Sequence, residues 1–479
     1  MTLSRASEGT PVPVSFCADT DRPIILSAAI LASSMGFIDG SVTSIAMPAM
    51  RAALGASLSQ AQWISAAYLL AVSSLVLVGG AMGDRFGIAR VFSMGILIFV
   101  AASLACAAAF TPELMIAARA AKGVGAALMV PGSMAMVSRA YPREERGRAL
   151  GLWASASTLT TALGPVLGGM FVTWGGELGW RLIFALNLPL GLAALALIRG
   201  RTPGDVGKPG VRVDLPGAVF ATLGLGLMAW SLTETTAPVW VAYAAAASLA
   251  AFLVWERVAP APMLRLGLFR NRTFAVTNLV TFALYFALNG VMFYLPMTAL
   301  SAWRVTPLEV TAAFLPISVL IGVLSAPAGR MADRYGAGPL MAVGSALVAS
   351  AYAGLWLFAP MGGFWSHVVP CAALAGFGLG LVVAPLTAAA MQGAEDGEQG
   401  AASGVNNAVA RVAGLIAVAL LGRMAASAYG PGAPGFGLSG DTPAHLAATG
   451  AAFGAVALSA SLMAALAALL ALLVKRPVR

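Results

Sequence analysis

The feature that most constrains this chain is the recurrence of apolar runs long enough to cross a lipid bilayer. A helix rises 1.5 Å per residue, so about 20 apolar residues span the ~30 Å hydrocarbon layer. Such runs begin near Ile24, Gln62, Val91, Pro112, Ala149, Arg181, Leu215, Val239, Thr273, Pro307, Pro339, Phe364, Gly400 and Thr449, fourteen in all. Of the 479 residues, 59% are hydrophobic and only 10% are charged. That is too little charge to cover a soluble protein of this size. In lipid each backbone polar group must be satisfied within its own element, which for single long runs means helices. The expected fold class is an all-α polytopic membrane protein.

Lys and Arg then sort the loops. With the N-terminus in the cytoplasm, only Arg51, Arg181, Arg304 and Arg423 fall outside, and Arg119, Lys122 and Arg411 fall within the membrane. The other 21 of the 28 basic residues are cytoplasmic. This asymmetry predicts both termini inside, and an odd number of helices would scramble it. The net charge of +9 then reflects basic loops and not nucleic-acid binding. The polar stretch Met1–Asp21 lacks a short apolar core with a small-residue cleavage site, so it reads as a cytoplasmic tail rather than a signal peptide. Cys17, Cys106 and Cys371 lack metal-ligand spacing and read as small apolar residues. Abundant Ala and Gly, with 25 Arg against 3 Lys, point to a GC-rich bacterial genome and so to the inner (plasma) membrane.

An internal repeat organises the chain. G-A-M-G-D-R-F-G runs from Gly80 to Gly87, and G-R-M-A-D-R-Y-G from Gly329 to Gly336. Gly80 pairs with Gly329, Asp84 with Asp333, Arg85 with Arg334, and Gly87 with Gly336. Each copy joins the second and third helices of a six-helix unit, which predicts two halves related by an axis along the membrane normal. The copies lie 249 residues apart, too far for adjacent six-helix units, so two inserted helices are expected between them. The layout is a tail over 1–23, a six-helix bundle over 24–200, a linker with two helices over 201–272, a second bundle over 273–474 and a tail over 475–479. Glycines in the loops permit tight turns and close helix approach. The Asp can accept bonds at a helix N-terminus or from an Arg. Contacts of that kind would form in one conformation only, so the loops read as gating latches.

Other stretches carry further patterns. The first helix holds Asp39, Ser41, Ala46 and Pro48, and the second opens with Gln62, Trp63 and Tyr68. The fourth holds Arg119, Lys122 and Gly123, and the fifth Gly164, Pro165, Gly168 and Gly169. W-R-x-x-F-x-x-N-x-P-x-G comprises Trp180, Arg181, Phe184, Asn187, Pro189 and Gly191. Together with the paired loops, these stretches resemble the major facilitator superfamily, and within it the fourteen-helix drug:proton antiporter branch, from about Ile24 to the last helix. The resemblance implies a major facilitator fold of two six-helix bundles plus two inserted helices. It implies proton-coupled efflux of small lipophilic or amphiphilic compounds, such as drugs or toxic metabolites, by alternating access. It implies no cofactor, the proton gradient being the driving force. Its partners would be the lipid bilayer, protons and the substrate, in a monomer, with a membrane-fusion or outer-membrane partner left open. The chain departs from the pattern in three places. Lys122 stands where the family usually has Gln, and Thr160 where the antiporter motif has Gly. The basic pair closing the first latch loop is Ile88 and Ala89, with Arg90 displaced by one.

Ionisable groups at membrane depth cost roughly 2.5 kcal/mol or more and ask for a purpose. Asp39 lies nine residues before Pro48, and Arg119 seven after Pro112. At 1.5 Å per residue both sit ~10–14 Å from the outer ends of their helices, so they can pair. Asp39 reads as the proton-coupling carboxyl, with Arg119 as its partner. Burial raises a carboxyl's affinity for a proton and a neighbouring cation lowers it, so a balanced site can load and unload. The plainer reading is a permanent bridge that only fastens two helices. Lys122 shares a face with Arg119. On the ninth helix Tyr285, Asn289 and Phe293 share a stripe, as Asn407 and Arg411 do on the thirteenth. These six are the candidate substrate-cavity residues, against the simpler readings of snorkelling, helix contact or a gate brace. Three embedded cations against one anion favour neutral, monocationic or anionic amphiphiles over dications. Gly164, Pro165, Gly168 and Gly169 would allow a kink and close helix contact, either as an antiporter seal or as a packing device.

No catalytic or metal-binding cluster is legible. His367 and His445 fall in outer loops or at span ends, and there is neither a nucleophile elbow nor a phosphate-binding Gly-Lys-Ser/Thr loop. An enzyme or an ATP-driven pump is therefore not expected. A channel has no use for paired latches. The rival transport readings are a dedicated exporter of one endogenous metabolite and an uncoupled uniporter or importer.

Overall fold

The computed structural model describes residues 16–392, 399–431 and 435–474. The tail over 1–23 is thus described only from residue 16. The tail over 475–479 and the acidic residues Glu395, Asp396 and Glu398 lie outside the described residues. Fourteen helical spans follow one another: α1 (Asp19–Leu54), α2 (Leu58–Phe86), α3 (Ile88–Ala108), α4 (Pro112–Ala140), α5 (Arg143–Trp174), α6 (Gly176–Ile198) and α7 (Leu215–Thr233). They continue with α8 (Val239–Val258), α9 (Arg272–Ala302), α10 (Pro307–Tyr335), α11 (Ala337–Phe358), α12 (Phe364–Gln392), α13 (Gly400–Tyr429) and α14 (Pro443–Ala471). No strand occurs among the described residues. The start of α1 and the end of α14 share one face, called here the terminal face, opposite the far face.

Several helices run beyond their apolar stretches. α5 begins at Arg143 rather than near Ala149, and α14 at Pro443 rather than near Thr449. At α14 the cause is a polar cap; α5 instead starts after Pro142, with Glu144 and Glu145 in its first turn and no side-chain cap. Thr442 Oγ1 accepts the N–H of His445 at 3.2 Å, and Thr111 caps α4 through Leu114. Reciprocal boxes, Ser57 with Gln60 and Thr306 with Glu309, start α2 and α10. Each supplies partners for N–H groups that a helix start leaves free. Within α6 the helix breaks at Leu186, between Gly179–Ala185 and Asn187–Ile198.

The repeat reappears as geometry. In the first half α4 packs on α2 and α3, and α1 on α5; eight helices later α12 packs on α10 and α11, and α9 on α13. Gly95 and Gly125 bring the α3 and α4 backbones together, leaving no room for a Cβ, and Gly344 and Gly378 do the same for α11 and α12. Close approach by small residues is how helices associate where lipid is as apolar as their side chains. The inserted α7 and α8 pair with each other, and α7 lies against α2 and α13.

Both latch loops turn at a glycine in the left-handed region, Gly87 with φ +106° and Gly336 with φ +92°, a backbone that disfavours any side chain. The start of α3 is capped from elsewhere in the chain. Asp205, in the segment between α6 and α7, accepts the N–H groups of Ile88, Ala89 and Arg90 at 2.8, 2.9 and 3.2 Å. The Lys208 N–H also reaches the Asp84 carbonyl at 2.8 Å. The linker thus begins as a clamp on the first latch loop. Asp205→Ala is expected to destabilise the protein by about 1–2 kcal/mol, the scale of losing a helix cap, and to loosen the first latch loop but not the second. Thermal unfolding, with hydrogen exchange compared at the two loops, measures both effects.

Candidate functional site

The strongest concentration of buried charge lies inside the first half. α1 contributes Asp39, and α4 contributes Arg119 and Lys122 one turn apart. Arg119 Nη1 donates to Asp39 Oδ2 at 2.5 Å and Lys122 Nζ to Asp39 Oδ1 at 2.5 Å. Exposures are 1% for Asp39, 2% for Arg119 and 0% for Lys122. Arg119 Nε also donates to the Ile64 carbonyl at 3.0 Å. Aromatic faces cover both cations: Tyr68 of α2 lies 4.4 Å from the Arg119 guanidinium, and Phe99 of α3 and Phe184 of α6 each lie 4.7 Å from Lys122 Nζ. Ring quadrupoles favour cations over their faces, most of all where water is absent. Two cations on one carboxylate leave the cluster with one excess positive charge.

The pairing of Asp39 with Arg119 is present as geometry. Lys122, expected at the substrate cavity, is instead enclosed, because Asp39 has a second oxygen to offer and Phe99 and Phe184 close over the ammonium. The W-R-x-x-F motif thereby acquires a local purpose. Its Phe184 covers Lys122, while Arg181 anchors α6 to the Ala107 and Ala109 carbonyls at 2.6 and 2.7 Å. Beside the sealed Asp39, Gly40 is exposed and has nothing within 4 Å of where a Cβ would sit.

The other candidates scatter more widely. Tyr285 and Asn289 are half-buried, with Asn289 Nδ2 donating to the Tyr285 carbonyl at 2.8 Å. Phe293, expected in the same cavity stripe, is buried edge-on against Tyr294, with ring centroids 4.8 Å apart. It belongs to the core because α9 is enclosed by neighbouring helices at that height. Asn407 is exposed and bonds only its own helix, at the Ser403 carbonyl. One turn on, half-buried Arg411 makes no hydrogen bond or ion pair among the described residues, and its Nε is buried without an acceptor. It lies within electrostatic reach of the Tyr68 and Tyr285 hydroxyls, one from each half.

At the latch loops Asp84, Arg85, Asp333 and Arg334 are exposed, and neither Asp side chain has a partner among the described residues. Gly80 faces Pro131, and Gly329 faces Ala384, at equivalent places in the two halves. On α5, Gly164 meets Ser41 and Gly168 meets Val42 of α1, with Pro165 buried between them, while Gly169 meets Thr311 and Pro307 of α10. α5 therefore straddles the halves.

Contacts that close the far face escaped the sequence reading. Gln62 Nε2 donates to the Tyr294 hydroxyl at 3.1 Å and to the Val418 and Ala419 carbonyls at 2.7 and 3.1 Å. Arg51 donates to the Phe436 carbonyl and, through Nε, to Ala56 at 3.0 Å. The Leu308 N–H reaches Thr173 Oγ1 at 3.2 Å. One apolar core runs through both halves on this side, containing Ile45, Met50, Val291 and Val418. Nearer the terminal face the halves keep separate clusters, around Phe92 and Met136 in one and around Phe274 and Val405 in the other. The halves are thus bridged at the far face, while the Asp84 and Asp333 side chains at the opposite face have no partner among the described residues. Gln62 stood in a recognised motif, but its bonding partners are carbonyls that no side-chain pattern can reveal.

The sequence profile described as Major Facilitator Superfamily matches residues 29–418. The chain is 32% identical over 412 residues to the methylenomycin A resistance protein of Bacillus subtilis, covering 83% of this chain and 86% of that protein. It is 32% identical over 428 residues to the probable actinorhodin transporter of Streptomyces coelicolor, covering 84% and 71%. Among solved structures, a bacterial homologue of the human lysosomal transporter Spinster superposes with a TM-score of 0.71 at 15% identity, over 95% of this chain and 97% of that one.

The charge cluster makes an asymmetric prediction. Asp39→Ala leaves two buried cations without their anion and is expected to destabilise the fold by about 3–5 kcal/mol, whereas Lys122→Met keeps the Asp39–Arg119 pair and removes the excess positive charge, and is expected to cost less. Thermal unfolding of the two purified variants should rank them in that order.

Proposed function

The chain belongs to the major facilitator superfamily, and from that premise we propose that it exports small lipophilic or amphiphilic compounds in exchange for protons, by alternating access. The observation that carries this reading is the sealed Asp39–Arg119–Lys122 cluster, one residue from the open backbone of Gly40. A structural bridge needs one cation. A second, with aromatic walls, holds Asp39 as an anion while the site is closed and gives both cations other favourable surroundings when a proton takes their place. Arg119 keeps the Ile64 carbonyl and the Tyr68 face, and Lys122 keeps two rings. Opening toward the proton-rich side would load Asp39, and return would unload it. The far-face bonds of Gln62, Tyr294 and Arg51 would break as the latch loops engage, with α5 sliding on its glycines as the seal between halves.

By sequence, 21 of the 28 basic residues belong to loops and tails on the termini's side of the spans, and that side is assigned to the cytoplasm of a bacterial inner membrane. Relatives that carry resistance or export in their names favour outward transport. Arg411, without an acidic partner among the described residues and within electrostatic reach of Tyr68 and Tyr285, favours neutral or anionic aromatic compounds over dications. A dedicated exporter of one metabolite is the second reading, favoured by similarity to the tetracenomycin C resistance and export protein of Streptomyces glaucescens, 28% identical over 416 residues.

Everted vesicles with an acid interior and a pH-sensitive dye test this, comparing wild type with Asp39→Asn at matched expression against a panel of lipophilic compounds. Substrates are expected to release protons through wild type and not through Asp39→Asn. Release by many compounds marks a broad exporter, and release by one chemical series a dedicated one. Equal release by both proteins removes Asp39 from coupling, and no release by either leaves an uncoupled carrier. Arg411→Ala is expected to weaken anionic substrates roughly 10- to 100-fold, the scale of a charge-assisted hydrogen bond, while sparing neutral ones.

A further inference from the structure

The inserted hairpin holds a pair of buried carboxyls, far in sequence from Asp39. Asp214 caps α7: its Oδ1 accepts the Gly217 N–H at 2.9 Å and the Trp255 indole N–H at 2.7 Å. Glu256, near the end of α8, accepts the Leu264 N–H through Oε2 at 3.0 Å. The two side chains are 8% and 4% exposed. Their remaining oxygens, Asp214 Oδ2 and Glu256 Oε1, are buried and have no hydrogen-bond partner. Both converge on Gly217. A Cβ there would lie 2.5 Å from the first oxygen and 2.8 Å from the second, and the carboxyls are within hydrogen-bonding reach of each other.

Two ionised carboxylates so placed would repel, and each would bury an acceptor with nothing to accept, an expensive arrangement. No described ion pair involves either group. The charged residues facing the pair from neighbouring elements are Arg212, Arg257, Arg265 and Arg270, with Asp84 at the end of α2, around a cavity of about 1400 Å³ at the terminal face. A metal ion would need more oxygens than these two, and the described residues hold no cluster of three or more metal-ligating side chains. One proton remedies both faults: it removes a charge and supplies the missing donor.

We propose that Asp214 and Glu256 bind a single proton between them, carried by Glu256 and donated to Asp214 Oδ2, and that this proton fastens the base of the inserted hairpin and the segment leading into α9. Glu256 is the donor because Asp214 Oδ1 already accepts the Gly217 and Trp255 N–H groups, which favour its charged form. The site stands independently of Asp39 and of any coupling role there. The native state binds a proton that the unfolded chain releases at neutral pH, so its contribution to stability is present at low pH and falls as pH rises.

The test uses the purified full-length protein in detergent. Infrared spectra report the carbonyl stretch of a protonated carboxylic acid, which carboxylates and amides lack, and thermal unfolding is followed across the same pH range. Wild type is expected to show the band near neutral pH and to lose both band and thermal stability on alkalinisation. Glu256→Gln, whose amide can donate to Asp214 without a proton, is expected to lose one acid's share of the band and to flatten the pH dependence. Asp214→Asn, offering its own amide to Glu256, should remove the same band, so a folding failure in one variant leaves the other decisive. A band of equal strength in wild type and in either folded variant overturns the proposal.

Discussion

Everything distinctive about the first half turns on what it takes to keep charge out of water. Asp39 has two oxygens, and each meets a cation at 2.5 Å. Without them the anion could not remain ionised at membrane depth, and without Asp39 neither cation could lie there. Three further helices arrange themselves around that requirement. α2 supplies Tyr68 and the Ile64 carbonyl, α3 supplies Phe99, and α6 supplies Phe184 from a short helix that breaks one residue past Ala185. The proton exchange proposed above needs a group that is stable in two protonation states. A carboxyl between two cations that each have a second place to rest is a way of building one.

The halves meet through surfaces that differ between the two faces. At the far face side chains bond to backbone carbonyls across the divide, Gln62 to Val418 and Arg51 to Phe436, above a shared apolar core. Toward the terminal face that core divides. The α5 glycines join the two regimes: Gly168 seats α5 on α1, and Gly169, one position on, seats it on α10. Adjacent residues of a helix point about 100° apart, so the two glycines give α5 two smooth faces, one for each half. A smooth helix surface permits sliding where interlocked side chains would resist it.

The inserted segment does more than lengthen the chain. Asp205 caps α3, and Lys208 bonds the latch carbonyl; α7 then packs against α2 of one half and α13 of the other. The pair Asp214 and Glu256 sits where this segment returns to the second half. Motion of the halves would therefore be felt by the linker, and the linker's own polar contacts would weigh on that motion.

Composition and periodicity by themselves determined the fourteen spans, the even count, the repeat with its two latch glycines, and the feasibility of pairing Asp39 with Arg119. These follow from one-dimensional quantities: run length against bilayer thickness, loop charge, and depth along a helix. Tertiary structure alone decided which faces of those helices turn toward each other. Lys122 and Phe293 were placed beside a cavity by spacing, yet both are buried, because rotation about a helix axis is set by neighbours that the stripe does not name. Tyr294, Gln62 and Arg51 bond to main-chain carbonyls, which every residue possesses and no sequence distinguishes. Asp205 and Glu256 belong to no motif or repeat in the sequence. Their significance arises from N–H groups and carboxyl oxygens brought together over 117 and 42 positions, and only the folded chain makes those separations short.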